Sequence, residues 1–425
     1  MKLGVMTVLL GDMPLKDTLR YLKGLGVQQV EIGCGGTPGT AHADAVKLME
    51  DAALLREFQE TIMESGLSVA ALACHGNPVH PDRKTADEYH RQFEAAICLA
   101  EEISVNTVIG FSGCPGDCEE SKYPNWVVAA WPDDFQKIRE WQWNEKLIPY
   151  WKKEAAFAKS HHVDQIALEM HPGFNVYNPE TLLRLRGAVG NVIGANVDPS
   201  HLFWQGIDPV AAIRALRGAI YHFHAKDTEI DPYNCSVNGV LDTKRFDQIK
   251  ERSWVFRTVG YGHGEETWRK IFGELRRAGY TGVISIEHED GLATLVYGLL
   301  QGVLQLAREH GTTAAAKFVR HVNHIDARHG FAVRALGQLD ARPRFVEMNA
   351  MERFDGRRGT AQHKRTTHML SHPGSYVTRD VARSMVLLIR PFVLLVDDDE
   401  AKIRKRREER TTGTHNDARI TRANE

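Results

Sequence analysis

The sequence predicts an α/β protein: a parallel (β/α)8 barrel over residues 1–310, followed by a basic, poorly ordered extension over residues 311–425. Three observations carry that expectation. Eight short apolar runs alternate with helical patterns across the first 310 residues, the alternation expected of strands that lie parallel and return through helices. The runs are near-continuously apolar, as strands covered on both faces are. Four of them stop in ligand-type side chains: Gln165–His171, Ile193–His201, Ile220–Asp227 and Gly282–Asp290. An open doubly wound sheet is the alternative, but no Gly-x-Gly-x-x-Gly fingerprint follows the first run.

The elements follow in order. Lys2–Val8 reads as strand one, and Pro14–Lys23, with Leu15, Leu19 and Leu22 at helical spacing, as the helix that Gly24 and Gly26 end. Gln28–Gly33 is strand two and leads into the glycine-rich loop Gly33–Gly39. A helix over Leu54–Met63, closed by Gly66, precedes strand three, Leu67–His75. A helix from about Asp82 to Glu102 precedes strand four, Asn106–Phe111. The excursion Ser112–Asp134 is rich in Pro, Gly and Trp, and a helix runs from it to Ser160. Strand five ends at Glu169, and Asn178 caps a helix over Pro179–Val189. Strand six ends at Asp198, Asp208 caps the helix Pro209–Leu216, and strand seven ends near His224. A long connection, Thr228–Gly264, leads to the helix Glu265–Ala278; strand eight, Val283–Glu287, precedes a last helix from about Leu292 to Glu309.

Charge is unevenly spread. Residues 311–425 hold 22 of the 53 Lys+Arg and 14 of the 55 Asp+Glu, which leaves 31 basic against 41 acidic groups in residues 1–310. A body that acidic is unsuited to displacing counterions from duplex DNA, so no nucleic-acid partner is expected. No apolar run approaches the roughly 20 residues of a membrane helix, and no membrane partner is expected. The six scattered cysteines and an N-terminus that opens straight into a strand point to free thiols in a cytoplasmic setting. Cys114-Pro-Gly-Asp-Cys118 lacks the second pair of a metal knuckle and reads as a polar loop.

In a parallel barrel the reacting groups stand at the C-terminal ends of the strands. Glu169, Asp198, His224 and Glu287 end strands five to eight and are the expected ligands of one divalent cation. Three carboxylates with one imidazole suit Mn²⁺, Mg²⁺ or Co²⁺; Zn²⁺ is compatible, although structural zinc favours thiolates. Each residue alone would read as a hydrogen-bonded barrel polar group; the argument rests on the four together. Strand parity supports the choice, since Glu169 and His171, and likewise His222, His224 and Lys226, fall on one face.

The motifs Val30-Glu-Ile, Cys74-His-Gly-Asn-Pro, Leu168-Glu-Met-His-Pro, Asp198-Pro-Ser-His, His222-Phe-His-Ala-Lys-Asp, Val259-Gly-Tyr-Gly and Ile286-Glu-His-Glu, in this order, resemble the xylose isomerase-like TIM barrel superfamily, and within it the sugar phosphate isomerase/epimerase group. The resemblance covers about residues 1–310. It implies one divalent ion held by Glu169, Asp198, His224 and Glu287, with Glu169 and Glu287 as acid and base on opposite faces of a carbohydrate substrate and His201 on a substrate oxygen. The chemistry so implied removes a proton next to a carbonyl and returns it to the other face or to the neighbouring carbon.

His75, His171, Lys226 and Arg257 are further candidates for contact with substrate, and His171 is also placed to support a ligand carboxylate. The backbone of Gly260–Gly264 is a candidate anion nest, although a plain glycine turn is the commoner reading. Trp126, Trp131, Trp141 and Trp143 crowd the strand-four excursion, for which a lid is the expectation. Alternatives stay open: a lyase of the inosose or dehydroshikimate dehydratase type on the same site, a non-catalytic sugar-binding barrel, and a phosphodiesterase of the apurinic-endonuclease type. The last needs a histidine after strand four and an Asp-x-His later, where this chain has Phe111-Ser-Gly-Cys and Gly260-Tyr-Gly-His. Association into a homo-oligomer is left open by the sequence.

Overall fold

A computed structural model describes residues 1–291. The expected helix Leu292–Glu309 and the extension 311–425 lie outside the described residues.

Ten strands are present among the described residues: β1 (Lys2–Met6), β2 (Gln29–Gly36), β3 (Ser68–His75), β4 (Thr107–Phe111), β5 (Gln165–Glu169), β6 (Ile193–Val197), β7 (Ile220–Ala225), β8 (Asp227–Ile230), β9 (Trp254–Arg257) and β10 (Val283–Ile286). Eight of them close into a barrel in the order β1-β10-β7-β6-β5-β4-β3-β2, with every pairing parallel. The expected (β/α)8 TIM barrel is therefore the fold, and the expected strand eight is β10. The remaining two strands form an antiparallel ribbon, Asp227 opposite Arg257 and Ile230 opposite Trp254, inside the connection that follows β7.

The helices that cover the wall bury one apolar face. In the helix Glu265–Arg277, Trp268, Ile271, Phe272 and Leu275 are fully buried, at the three- and four-residue spacing of a single face. Asp51, Asp82, Asp208 and Asn178 each accept from backbone N–H groups of the turn they cap. The helix Ala45–Glu50 was not expected; Asp44 caps it, and Asp51 starts the following helix at once, which hides the boundary in the sequence.

Below the rim, Ala71 of β3, Ile109 of β4 and Ala167 of β5 pack together with the ring of Tyr221. A Cβ at Gly194 would stand 2.2 Å from that ring, so β6 needs glycine there. Registers then align the layer above: Glu169 lies opposite Phe111 and Asn196, Asn196 opposite His222, and Ser285 opposite His224. Those pairings bring polar side chains from β5, β6, β7 and β10 to one rim.

Candidate metal centre

Strand geometry delivers the four expected ligands to one place. Glu169 is the last residue of β5, Asp198 and Glu287 immediately follow β6 and β10, and His224 is the fifth residue of β7. One ligand atom from each lies within 4.8 Å of all the others. Asp198 also caps the short helix Pro199–Trp204, its Oδ1 accepting from Ser200 N at 2.8 Å, which leaves Oδ2 for the site. Buried Asp198 Oδ2 and Glu287 Oε2 have no hydrogen-bond partner. They lie 3.3 and 3.0 Å from Lys226 Nζ, within ion-pair reach but off hydrogen-bond angle.

The other candidates surround this set. His75 Nε2 is 3.0 Å from Glu169 Oε2. His201 Nε2 is 3.1 Å from Glu169 Oε1 and 3.4 Å from Asp198 Oδ2. The His171 ring centre is 4.0 Å from that of His201. Phe111 stacks on Phe174 at 4.3 Å and meets His75 edge-on at 4.6 Å, forming an aromatic wall beside the carboxylates. Lys226 is 2 % exposed, donates to Glu289 at 2.9 Å and lies over the Phe256 ring. Arg257 is held by Glu229 at 3.1 Å and Asp290 at 3.2 Å.

Burial and charge set the protonation pattern. Burial works against the Glu169 anion, but the imidazoles of His201, His224 and His75 outweigh it and hold the carboxyl well below the usual range. Glu287 is likewise opposed by burial and drawn down to about 2, chiefly by Lys226 and then by His224. Asp198 moves the other way: burial raises it more than Lys226 and His201 lower it. Burial disfavours the Lys226 cation, yet Glu287, Glu289, Asp198 and Glu169 push its pKa well above the ordinary value. His171 is kept neutral by burial and by His201, its pKa falling to about 3.

Glu31, on β2, has no role in the sequence reading. It is 1 % exposed and accepts from His222 Nε2 at 2.9 Å, His224 Nε2 at 3.0 Å and Ser285 Oγ at 2.6 Å. Two signals pointed to it without giving it a role: its charge in an apolar strand, and its place in the motif Val30-Glu-Ile. Asn196 was also missed; its Nδ2 lies 3.2 Å from Glu169 Oε2 and 3.2 Å from His224 Nδ1. The glycine-rich turn after β9 does form a nest, but its occupant is internal: Gly260, Gly262 and His263 N–H groups all donate to Asp227 Oδ2, at 2.9, 3.2 and 2.9 Å. A Cβ at Gly262 would stand 2.1 Å from Thr228 O, which explains that glycine.

The start of the strand-four excursion, Ser112 to Gly116, is tied to the body by hydrogen bonds. Asn77 pairs with both backbone groups of Cys114 at 2.9 and 3.0 Å, Gln142 Nε2 donates to Gly116 O at 2.9 Å, and Trp151 Nε1 to Ser112 O at 2.9 Å. Trp143 is core, at 2 % exposure, while Trp131 is 79 % exposed. All six cysteines are free. No helix among the described residues is long and apolar enough to cross a membrane.

Residues 19–321 match the family described as xylose isomerase-like TIM barrel. The chain is 37% identical over 315 residues to the uncharacterized protein YfiH of Bacillus subtilis (strain 168), spanning 72% of this chain and 100% of that protein. Among solved structures it is similar to D-psicose 3-epimerase in the presence of D-fructose, at 16% identity and a TM-score of 0.45, over 68% of this chain and 85% of that one. It is also similar to a xylose isomerase-like TIM barrel protein from Mycobacterium smegmatis in complex with magnesium, at 16% identity and a TM-score of 0.48, over 69% and 91% of the two chains.

Proposed function

This chain belongs to the xylose isomerase-like TIM barrel family, and from that premise we propose that it is a divalent-cation-dependent isomerase or epimerase of a carbohydrate substrate. The observation that carries the reading is the convergence of Glu169, Asp198, His224 and Glu287 within 4.8 Å. Their chemistry fits a cation. Two buried carboxylates and one partly exposed one, Glu287, share one rim, two of their oxygens lack a hydrogen bond, and the Lys226 ammonium offsets them. An oxygen-rich set with one imidazole favours Mn²⁺, Mg²⁺ or Co²⁺ over a structural zinc site. The four residues would hold the ion, which supplies Lewis-acid stabilisation of negative charge on two adjacent substrate oxygens.

The protein's own groups do the proton chemistry. Glu169 and Glu287 stand on β5 and beyond β10, separated around the wall by β6 and β7; one acts as the carboxylate base, and for an epimerisation the other must carry a proton taken up from solvent before it can act as the acid. One carboxylate takes the proton from the carbon beside the carbonyl. The C–H electron pair moves into an enediolate, and a carboxylic acid returns a proton. Return to the opposite face of the same carbon gives an epimer; return to the neighbouring carbon gives an isomer. His75 Nε2 lies at hydrogen-bond distance from Glu169; His201 Nε2, near Glu169 Oε1 but without a hydrogen bond, is placed to meet a substrate oxygen. Phe111, Phe174 and His171 offer an apolar wall to a sugar face. The proposal assigns the site to the barrel, residues 1–310, and gives no part of it to residues 311–425.

The test is solvent deuterium exchange at the substrate's α-carbon, screened over ketoses, their phosphates and inososes. Glu169→Gln and Glu287→Gln are each expected to lower exchange by at least about 10²-fold. Undiminished exchange in both variants removes the acid/base assignment, and an unsaturated product assigns the chain to the lyases.

A further inference from the structure

We infer that Glu31 is a positioning residue: reaching across the barrel interior from β2, it holds His224 in the one tautomer that turns a nitrogen lone pair toward the cation position. The inference rests on the proposed cation site and adds to it a residue outside the ligand set.

An ionised carboxylate only accepts. Glu31 is 1 % exposed, and its two oxygens face three donor groups, His222 Nε2, His224 Nε2 and the Ser285 hydroxyl, the surroundings of a carboxylate that only accepts. His224 Nε2 lies 3.0 Å from both Glu31 oxygens, so that nitrogen must carry the proton. The remaining nitrogen, Nδ1, is 2.8 Å from Glu287 Oε2 and 3.3 Å from Glu169 Oε2, inside the ligand set. The same rule puts a proton on Nδ1 beside Glu287; a bound cation would take the place of that proton, whereas the Nε2 proton, facing Glu31, would stay. A carboxylate behind a metal-bound imidazole fixes ring orientation and raises ligand basicity.

Glu31 is itself held firmly. His222 comes from the same strand as His224, two residues earlier and on the same face. Ser285 comes from β10, directly opposite His224 in the register, and its hydroxyl donates to Glu31 Oε2. Three donors from two adjacent strands leave the carboxylate little freedom, and that rigidity passes to the His224 ring. Glu31, His222 and His224 also have ligand atoms within 4.8 Å of one another. Read as a second cation site, that cluster would need His224 Nε2 unprotonated, and one imidazole would have to serve two ions. Three hydrogen bonds to one anion describe the cluster without that demand.

The experiment titrates Co²⁺ into the full chain by calorimetry and records the visible absorption of the bound ion. The wild type is expected to bind one ion per chain. Glu31→Gln is expected to weaken binding by about 10- to 100-fold and to alter the Co²⁺ spectrum. Glu31→Asp should recover part of the loss, and Ser285→Ala, which leaves both imidazole contacts, should lose much less. If Glu31→Gln does not fold, Glu31→Asp is read in its place, with weaker binding and an altered spectrum expected. A folded variant with lower thermal stability but unchanged affinity and spectrum makes Glu31 merely structural and overturns the inference. Two ions per wild-type chain, with one lost in Glu31→Gln, overturns it in favour of a second site. A wild type that binds no Co²⁺ overturns the cation reading itself, and this inference with it.

Discussion

The barrel wall divides into two arcs built from strands of similar length but different chemistry. The arc β5-β6-β7-β10 ends in Glu169, Asp198, His224 and Glu287, four side chains with lone pairs that converge on one point. The arc β1–β4 ends in Met6, Gly36, His75 and Phe111 and supplies no member of that set. Its polar contributions reach across instead: His75 to Glu169, and Glu31 to His224. The contrast teaches how a buried cluster of carboxylates can be kept open to a cation. One arc presents the proposed ligands, and the other adds side chains that fix two of them, Glu31 on His224 Nε2 and His75 on Glu169 Oε2. Free lone pairs point inward only because other lone pairs and N–H groups are already engaged.

The largest expected effect sharpens this division by removing a charge from the ligand arc. Asp198→Asn keeps the helix cap, since asparagine accepts from Ser200 N as well as aspartate does. It removes the anion whose Oδ2 faces Lys226. Divalent-cation affinity measured by calorimetry is expected to fall more than about 100-fold, beyond the range for groups that only support ligands. Circular dichroism should be unchanged. An affinity within a few-fold of wild type would erase the distinction between the arcs.

A smaller effect is expected from the supporting arc. His75→Gln retains a donor for Glu169 but loses the ring that packs on Phe111. Cation affinity should fall by no more than about 10-fold, the scale of one hydrogen bond to a charged group. Deuterium exchange should slow by a similar factor. A loss as large as that of Asp198→Asn would place His75 among the ligands and redraw the boundary between the arcs.

The convergence of the four proposed ligands was legible in the sequence, and the physical reason is simple. Glu169, Asp198, His224 and Glu287 each sit where an apolar strand stops, so charge appears against a hydrophobic background. The supporting arc was harder to read. Glu31 lies inside β2, which continues past the expected end at Gly33 to Gly36 with a register shift between Gly33 and Gly35. Nothing near it in the chain hints that its partners, His222, His224 and Ser285, lie some 190 to 250 residues away. The ribbon β8–β9 was missed because its strands are four residues each and 23 residues apart, too short for a period to show. Arg257 looked like a clamp for an anionic substrate, yet that ribbon and the segment after β10 supply carboxylates that bind it internally. Long-range pairing, rather than local propensity, decided each of these cases.

The smallest effect tests a polar residue of neither arc. His42 is 7 % exposed, its Nε2 lying 2.9 Å from Met13 O and 3.3 Å from Thr18 Oγ1, so the buried ring donates to a backbone carbonyl next to the first helix. Burial lowers its pKa from the ordinary 6.5, more than the backbone hydrogen bonds raise it. The folded state therefore prefers the neutral ring, while the unfolded chain takes a proton once the pH drops below 6.5. Because the unfolded state then binds more protons, the contribution of His42 to stability is complete above that value and is lost as the pH falls through it toward the folded pKa. His42→Gln keeps a donor for Met13 O without the titration. Between pH 7.5 and 5.5, the thermal midpoint of the wild type should fall further than that of the variant, by on the order of 2 °C, while cation affinity is the same in both. A change in cation affinity would mean that the rim senses the first helix, and the separation between site and scaffold would fail at its outer edge.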